Sequence, residues 1–271
     1  MTEKEFHYKV QIAIDKVKTP NLLLEEHNHY ANLAMNDWVK TAYQRYDTTQ
    51  ATSDELQVLK GIAYYNVTNV TSTAITAQMI LDNNTPGVTV TGQRTRHGIS
   101  FQFPDNYYHL LKCNLGLTPK QNFKCYEQGL TTEFTCHRLT DDKAIETNTY
   151  LKAKYTNPYV YIYNNNTFAP YAGSTIANRD RQPSFEIKTG LVEDMFNYTF
   201  IDVRYIRYPR VLNLTQSQLE GAGDTSNVME FPDFICDEIL KRMIAYVMER
   251  NSDPRTSSAF QVSNTNNNTQ Q

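Results

Sequence analysis

The order of apolar and polar residues divides the chain into a helical first third, a strand-rich middle and a helical segment near the C terminus. In EKEFHYKVQIAIDKVK, Phe6, Val10 and Ile14 recur at helical spacing. The dipeptide Thr19-Pro20 ends this pattern, because proline cannot continue a helix. The first helix is therefore predicted to end just before residue 19.

Two further helices are predicted before residue 82. The segment EEHNHYANLAMNDWVKTAYQRY places Tyr30, Ala34 and Trp38 on one stripe, with apolar residues on either side of it. The segment TSDELQVLKGIAYY opens with Thr52 and Glu55, which have the spacing of a capping box. Three helices joined by short loops predict a small bundle in an N-terminal helical region, residues 1–82.

From about Asn83 the apolar period changes from near 3.6 to 2, which predicts strands. The predicted strands are GVTVTG, HGISFQF, EFTCHRL, NTYLKAKY, YVYIY, SFEIK and YTFIDVRYIRY. Between them, PDNYYHLLKCNLGL predicts a short helix, because Pro104 suits a first turn. Many short strands are typical of a barrel or sandwich, so residues 83–215 are predicted to form a mostly antiparallel β-rich domain.

Residues 228–250 are predicted to contain a C-terminal helix that packs with the helical region. In FPDFICDEILKRMIAYVMER, Pro232 stands where a first-turn proline is tolerated. Two adjacent apolar stripes require burial on two sides, either in the chain's own core or against another chain. The candidate subunit-interface residues on this segment are Phe231, Ile235, Ile239, Met243 and Val247.

The last segment, residues 251–271, has the polar composition of an extended tail. Fully extended, it would reach on the order of 70 Å, which is enough to cross a neighbouring subunit. The predicted fold class is therefore α+β: a helical bundle from the N-terminal helices and the C-terminal helix, an inserted β barrel or sandwich, and an extended tail.

Charge and hydropathy narrow the classes of function. The net charge of −3 and the pI of about 6.1 give no basic footprint for sequence-specific nucleic-acid binding. The mean hydropathy is −0.58, and no apolar run approaches the roughly 18 residues of a membrane helix. The first ten residues, MTEKEFHYKV, lack the apolar core of a signal peptide, so we expect a cytosolic chain without a membrane partner.

The sequence contains no motif that points to catalysis. It has no glycine-rich phosphate loop, no H-E-x-x-H, no G-x-S-x-G and no C-x-x-C. The group Cys113, Cys125, Cys136 and His137 has irregular spacing, which favours reduced core thiols over a zinc site. We expect Cys236 to be reduced as well, and we expect no catalytic residue, no cofactor and no metal.

Other polar and aromatic groups allow more than one interpretation. His27 and His29 point to different faces of one helix, which favours solvated histidines over a metal site. Tyr159, Tyr161 and Tyr163 alternate along one strand, as in a cross-strand packing face or a stacking and sugar-binding face. A basic cluster in predicted turns is either ordinary surface charge or a phosphate contact; it consists of Arg94, Arg96, His97, Arg179 and Arg181, with Asp180 among them.

Three arginines in DVRYIRYPRVLNLT are also interface candidates. Arg204, Arg207 and Arg210 precede or follow Pro209, which is expected to end strand pairing. They are suited to bidentate pairs with carboxylates of a neighbouring subunit. Solvent-facing charges on an edge strand are the alternative interpretation.

Several segments, taken in their order along the chain, carry a resemblance to a known family. They are EEHNHYANLAMNDWVKTAY, TSDELQVLKGI, FQFPDNYYHLL, YIRYPRVLNLT and EFPDFICDEILKRMIAYVMERNSDPR, with matching positions Asn32, Leu33, Ala34, Tyr43, Asp54, Leu56 and Leu59. This order resembles the ring proteins, portal adaptors and tail-barrel proteins, in the neck and tail of crAss-like short-tailed bacteriophages. From about residue 114 to 197 only the alternating pattern is similar.

The resemblance implies a non-enzymatic virion protein that assembles in the host bacterial cytoplasm. Its partners would be copies of itself in a closed dodecameric ring, neighbouring portal, ring or tail proteins, and DNA that passes without specific recognition. A mildly acidic subunit suits such a conduit, because a basic lumen would retain DNA through phosphate contacts. The alternatives are a carbohydrate- or receptor-binding module of a phage tail and a hydrolase with acids gathered from loops.

Overall fold

The structure is a computed structural model in which the chain divides into two units. A helical unit comprises both ends of the chain, residues 1–59 and 208–271, and a barrel unit comprises residues 60–207. The residues that the structure describes are 1–16, 22–46, 54–71, 73–82, 87–95, 98–122, 126–139, 154–165, 182–190, 195–221 and 224–250. The α+β class predicted from the sequence is confirmed.

In its described ranges the helical unit contains four α-helices. They are α1 (Glu3–Lys16), α2 (Leu24–Gln44), α3 (Gln216–Glu220) and α4 (Asp233–Arg250). The helical spacing of Phe6, Val10 and Ile14 correctly predicted α1, since all three side chains are fully buried. Thr19 and Pro20 lie outside the described residues.

The C-terminal helix α4 contacts both α1 and α2. The rings of Trp38 and Phe231 meet edge to face with centroids 5.3 Å apart, and the indole Nε1 of Trp38 donates to Glu238 at 2.9 Å. On the α1 side, Lys9 forms an ion pair with Asp237 at 3.0 Å. Helix α4, with Phe231 just before it, therefore contacts α1 and α2 through side chains of both polar and aromatic kinds.

In the residues that the structure describes, the barrel unit is one large, nearly closed and mostly antiparallel sheet of ten strands. They are β1 (Lys60–Val70), β2 (Ala74–Leu81), β3 (Val88–Thr95), β4 (Gly98–Gln102), β5 (Tyr107–Pro119), β6 (Thr132–Thr135), β7 (His137–Leu139), β8 (Tyr159–Asn165), β9 (Gln182–Lys188) and β10 (Phe196–Arg207). Their order in the sheet is β6-β5-β10-β1-β2-β3-β4-β9-β8-β7. Only β7 and β8 pair in parallel among these strands.

The sheet curves round because its two edge strands are consecutive in the chain. Cys136 is the only residue between β6 and β7. Its amide donates to the carbonyl of Cys113 on β5 at 2.8 Å, and the next amide, that of His137, donates to the carbonyl of Pro158 at 2.9 Å. The continuous stretch from β6 to β7 therefore pairs first with β5 and then with β8, and this pairing brings the two ends of the sheet together.

The inner face of the barrel is apolar and rich in aromatic rings. Tyr65, Phe101 and Phe185 are fully buried and contact one another with ring centroids 5.5 to 6.3 Å apart. The hydroxyl of Tyr65 donates to the carbonyl of Gln102 at 2.6 Å, which satisfies its polar end inside the core. The barrel thus has its own hydrophobic core.

Two predicted helices are wrong. The segment TSDELQVLKGIAYY, predicted as a third helix, forms one helical turn and a 3-10 turn at Gln57–Leu59, and then continues as β1. Thr52, the first residue of its capping box, lies outside the described residues. Pro104 precedes a turn, in which the amide of Tyr107 donates to its carbonyl, and β5 begins where a short helix was expected. The strands therefore begin at Lys60 and not near Asn83, and the units divide at 59/60 and 207/208, whereas the sequence suggested 82/83 and 215/228.

Six of the seven predicted strand segments coincide with β3, β4, β6 with β7, β8, β9 and β10. Most of the seventh, NTYLKAKY, lies outside the described residues, as does the predicted tail, residues 251–271. Strands β1, β2 and β5 were not predicted from the sequence.

Candidate functional site

The five apolar interface candidates of the C-terminal segment are buried within the chain itself. The exposed fractions are 3% for Phe231, 1% for Ile235 and Val247, and 0% for Ile239 and Met243. Of the two alternatives for this stripe, burial in the chain's own core is the one that the structure shows. These side chains are not available on the surface of the single chain, so they do not form a subunit interface in this conformation.

The candidate arginines Arg204 and Arg210 have carboxylate partners in their own chain. Arg204 on β10 pairs with Asp202 at 3.3 Å, and both belong to one outer stretch of the strand. Arg210 pairs with the buried carboxylate of Glu3 at 3.3 Å and donates to the carbonyl of Val228 at 2.6 Å. Burial raises the pKa of Glu3, although Arg210 opposes that shift. Arg207 is partly exposed at the end of β10.

Two asparagines of α2 hold an extended segment that follows the barrel. Asn32 donates to the carbonyl of Leu212 at 2.8 Å and accepts from the Leu212 amide at 2.8 Å. Asn28 likewise donates to the carbonyl of Leu214 at 2.9 Å and accepts from the Leu214 amide at 3.2 Å. A helical turn and two residues of a strand have similar lengths, so side-chain amides four residues apart match alternate backbone groups of the segment. We call this arrangement the asparagine clamp.

Three large apolar side chains of α1 and α4 remain exposed. Tyr8 and Ile12 lie one turn apart on α1 with exposed fractions of 48% and 55%, and Phe234 at the start of α4 is 60% exposed. The ion pair between Lys9 and Asp237 joins the two helices beside them. We call these three residues the α1/α4 patch, and exposed large apolar side chains offer surface for a contact with another protein.

The alternating tyrosines of β8 are not equivalent. Tyr159 is buried, whereas Tyr161 and Tyr163 are partly exposed. The rings of Tyr161 and Tyr163 are nearly parallel, with an angle of 14° and centroids 5.8 Å apart. The amine of Lys188 lies 5.3 Å from the centre of the Tyr161 ring. The two outer rings and a cation thus form one small aromatic surface on the barrel.

The structure brings together only part of the cysteine and histidine group. Cys113 and Cys136 are neighbours in the barrel core, His137 is exposed on β7, and Cys125 lies outside the described residues. Within the ranges that the structure describes, no three His, Cys, Asp or Glu side chains lie close enough to hold a metal ion.

The histidines of α2 correct one expectation. His29 is exposed, as expected, but His27 is fully buried and contacts His7 of α1 with ring centroids 4.5 Å apart. Its position one helical turn before the buried Ala31 is the sequence signal that would have placed it on the apolar stripe. The buried histidine pair and the asparagine clamp are the polar features that sequence reasoning missed.

The predicted basic cluster is largely outside the described residues. Arg94 is described, and its guanidinium donates to the carbonyl of Thr71 at 3.3 Å. The other members, Arg96, His97, Arg179, Asp180 and Arg181, are among the residues that the structure does not describe. A phosphate contact there stays a prediction.

None of the helices in the described ranges combines the length and the apolar character needed to cross a membrane. A comparison with models of known protein families gives no match, and a comparison with curated proteins gives no significant match.

Proposed function

We propose that the chain is a structural ring subunit of a short-tailed phage neck or tail, which links portal to tail and lines the conduit for DNA ejection. The observation that carries this proposal is the helical unit built from both ends of the chain, with a large antiparallel barrel inserted between them. The ring proteins that the sequence resembles present a helical bundle around a DNA-sized channel and carry β domains outward, a role that this organisation suits. In the ring, the helices form a bundle around the channel and DNA passes as cargo.

The ring contacts are assigned to surfaces that the monomer leaves uncovered. A closed ring needs heterologous contacts, so each subunit offers two different surfaces to its neighbours. The α1/α4 patch, formed by Tyr8, Ile12 and Phe234, is one of them. We assign the second contact to the segment 251–271, because its composition is that of an extended polar tail. This assignment replaces the buried stripe of α4 as the interface.

Native mass spectrometry of the purified full-length chain tests the ring. We expect one closed oligomer of defined copy number. Replacing Tyr8, Ile12 and Phe234 together by serine should weaken assembly at least about tenfold, because desolvated apolar contacts dominate interfaces. The matched control replaces Leu23 and Leu33 by serine and should assemble normally. These two residues are 68% and 41% exposed elsewhere on the same unit. A wild-type chain that stays monomeric at all concentrations overturns the ring proposal.

A truncation after Arg250 tests the tail separately. The shortened chain keeps α4 and the α1/α4 patch, so loss of rings assigns the missing contact to residues 251–271. Normal rings from the truncated chain would remove the tail from the interface and leave the patch in place.

The aromatic surface on β8 favours a second candidate function, carbohydrate binding by the barrel. Nearly parallel Tyr161 and Tyr163 rings suit stacking against the apolar face of a sugar, and Lys188 beside them suits hydroxyl contacts. Glycan binding by the full-length chain, lost in Tyr161→Ala and Tyr163→Ala and kept in the control Tyr208→Ala, would support this function. Absence of glycan binding would exclude it.

A further inference from the structure

Cys136 occupies the seam of the barrel, which we define as residues 132–139. On one side of Cys136 the chain pairs with β5, and on the other side it pairs with β8. No other residue separates β6 from β7, so Cys136 lies at the point where the sheet closes on itself.

Cys113 lies directly across from Cys136. The β5–β6 register pairs Asn114 with Thr135 and Leu115 with Phe134, and its next step pairs Cys113 with Cys136. The hydrogen bond from the Cys136 amide to the Cys113 carbonyl, 2.8 Å, confirms this step. Residues opposed in a hydrogen-bonded antiparallel pair have Cα atoms about 5.5 Å apart. Disulfides span Cα separations of about 4.4–6.8 Å, so the backbone already has a suitable spacing.

Both side chains point into the barrel core. Cys113 is 1% exposed and Cys136 is 7% exposed, and both belong to the same apolar cluster. The two thiols are hydrogen-bonded to each other, and this contact together with burial raises the pKa of Cys113. In the closed barrel the thiolate of Cys113 is therefore scarce, and because both thiols are buried, reaction with an external oxidant requires local opening.

The seam is suited to such opening. Strand β6 has four residues and β7 has three, whereas their neighbours β5 and β8 have thirteen and seven. Short stretches with few ladder hydrogen bonds open at lower free-energy cost than the centre of a sheet.

We propose that Cys113 and Cys136 are a redox-active pair whose disulfide locks the seam of the barrel. The oxidant is a low-molecular-weight disulfide such as glutathione disulfide. The thiolate of one cysteine attacks it and releases one small thiol, and the second cysteine then displaces the other small thiol from the mixed disulfide. The protein loses two protons and two electrons, and the oxidant takes them up and becomes two thiols. This pair is independent of the proposed ring function, since it depends only on the barrel.

The experiment incubates the full-length chain with a series of glutathione and glutathione disulfide ratios and measures intact mass, cross-linked peptides and thermal unfolding. The expected result is a mass lower by about 2 Da, a peptide linking Cys113 to Cys136, and a barrel Tm higher by about 5–10 °C, because the closed loop restricts the unfolded chain. A reducing dithiol should reverse all three. Cys136→Ser should abolish the change, and Cys236→Ser, which alters a buried cysteine of the helical unit, should not.

Three results overturn the proposal. The first is recovery of Cys113 and Cys136 as free thiols across the whole series. The second is a cross-link that joins either of them to Cys125 or Cys236 instead. The third is a stable mixed disulfide with glutathione at only one of the pair, because that shows that the second thiol does not reach the first.

Discussion

At the scale of single residues, the contact between His7 and His27 sets an acid limit for the helical unit. His27 is fully buried, and among the described residues neither of its ring nitrogens has a hydrogen-bond partner. Burial is the main cause that lowers the pKa of His27 to about 3, and His7 adds to it; burial also lowers the pKa of His7. Folding therefore favours the neutral form of both rings.

Lowering the pH should destabilise the helical unit through His27. Its pKa is lower in the folded chain than in the unfolded chain, so its contribution is intact above about pH 6.5 and is lost as the pH falls toward 3. A pKa shift of this size lowers the free energy of unfolding by about 2 kcal/mol at pH 5 and by at most about 5 kcal/mol at lower pH. Urea unfolding at pH 7.5 and pH 5 measures the difference.

The variant His27→Leu should keep its stability at pH 7.5 and lose most of that acid sensitivity. His29→Leu, which alters an exposed histidine of the same helix, is the matched control and should behave like the wild type. Equal acid sensitivity in all three proteins would contradict the assignment to His27.

The asparagine clamp is a second polar device at this scale. Asn32 satisfies both backbone groups of Leu212, a residue that lies outside the described strands. Leucine at position 32 would leave both groups without partners, and Leu212 is itself buried.

We therefore expect Asn32→Leu to lower the free energy of unfolding by about 2–4 kcal/mol, since each unpaired buried backbone group costs about 1–3 kcal/mol. Asn32→Asp keeps the acceptor and loses the donor, so its effect should be intermediate. Asn36→Leu alters an exposed asparagine one turn later and should change the free energy little. A similar loss in Asn32→Leu and Asn36→Leu, measured by urea unfolding, would contradict the clamp.

At the scale of elements, the misassigned segments show how pairing overrides local signals. In β1, Gly61, Ala63 and Tyr65 alternate on the buried face. This alternation with a period of 2 is the pattern of a strand, and the chain follows it although the capping box upstream predicts a helix. In β5 the alternation is interrupted, because its pairing with β10 contains register shifts, including one at Arg204 and Tyr205. A bulged strand does not keep a strict period, and its sequence is therefore easily taken for a helix.

Close approach of two strands makes one glycine of β4 sensitive to substitution. A Cβ added at Gly98 would lie 1.8 Å from the carbonyl oxygen of Ile187 on β9, which is backbone. A Cβ added at Gly116 on β5 would meet the ring of Phe200 at 2.4 Å, and that ring can move.

Gly98→Ala should therefore separate β4 from β9 and lower the free energy of unfolding by about 3 kcal/mol. Gly116→Ala should lower it by about 1 kcal/mol. Thermal unfolding of the two variants provides the comparison. If Gly116→Ala proves the more damaging, the strands at Gly98 do not approach as closely as described.

At the scale of the whole molecule, the barrel is a continuous insertion into a helical unit that is discontinuous in sequence. The insertion starts at β1 and ends at β10, and these strands pair, with Lys60 opposite Ile206. The ends of the insertion are thus adjacent. The barrel also has its own core, so it meets the usual conditions for independent folding.

A fragment of residues 60–207 should fold alone with a cooperative thermal transition. A fragment of residues 60–195 should not, because it lacks β10, which lies between β5 and β1 in the sheet. Near-ultraviolet circular dichroism reports on the aromatic core of both fragments. Failure of the longer fragment to unfold cooperatively would mean that the barrel depends on the helical unit.

The sequence by itself determined the elements whose residues act locally. Helices α1, α2 and α4 and strands β3, β4, β8, β9 and β10 follow from side-chain periodicity and from proline, glycine and asparagine at their ends. The α+β class follows from the change of period along the chain. These features depend on neighbours in sequence, so a single sequence contains them.

Only the tertiary structure decided features that depend on residues distant in sequence. In the tertiary structure β5 is a bulged strand, and the sheet closes at Cys136. The apolar stripe of α4 is buried in the chain's own core. It also brought His7 to His27 and Asn32 to Leu212. Each of these contacts has a partner that local pattern does not specify, because hydrogen bonds and burial are satisfied by whichever segment the fold brings near.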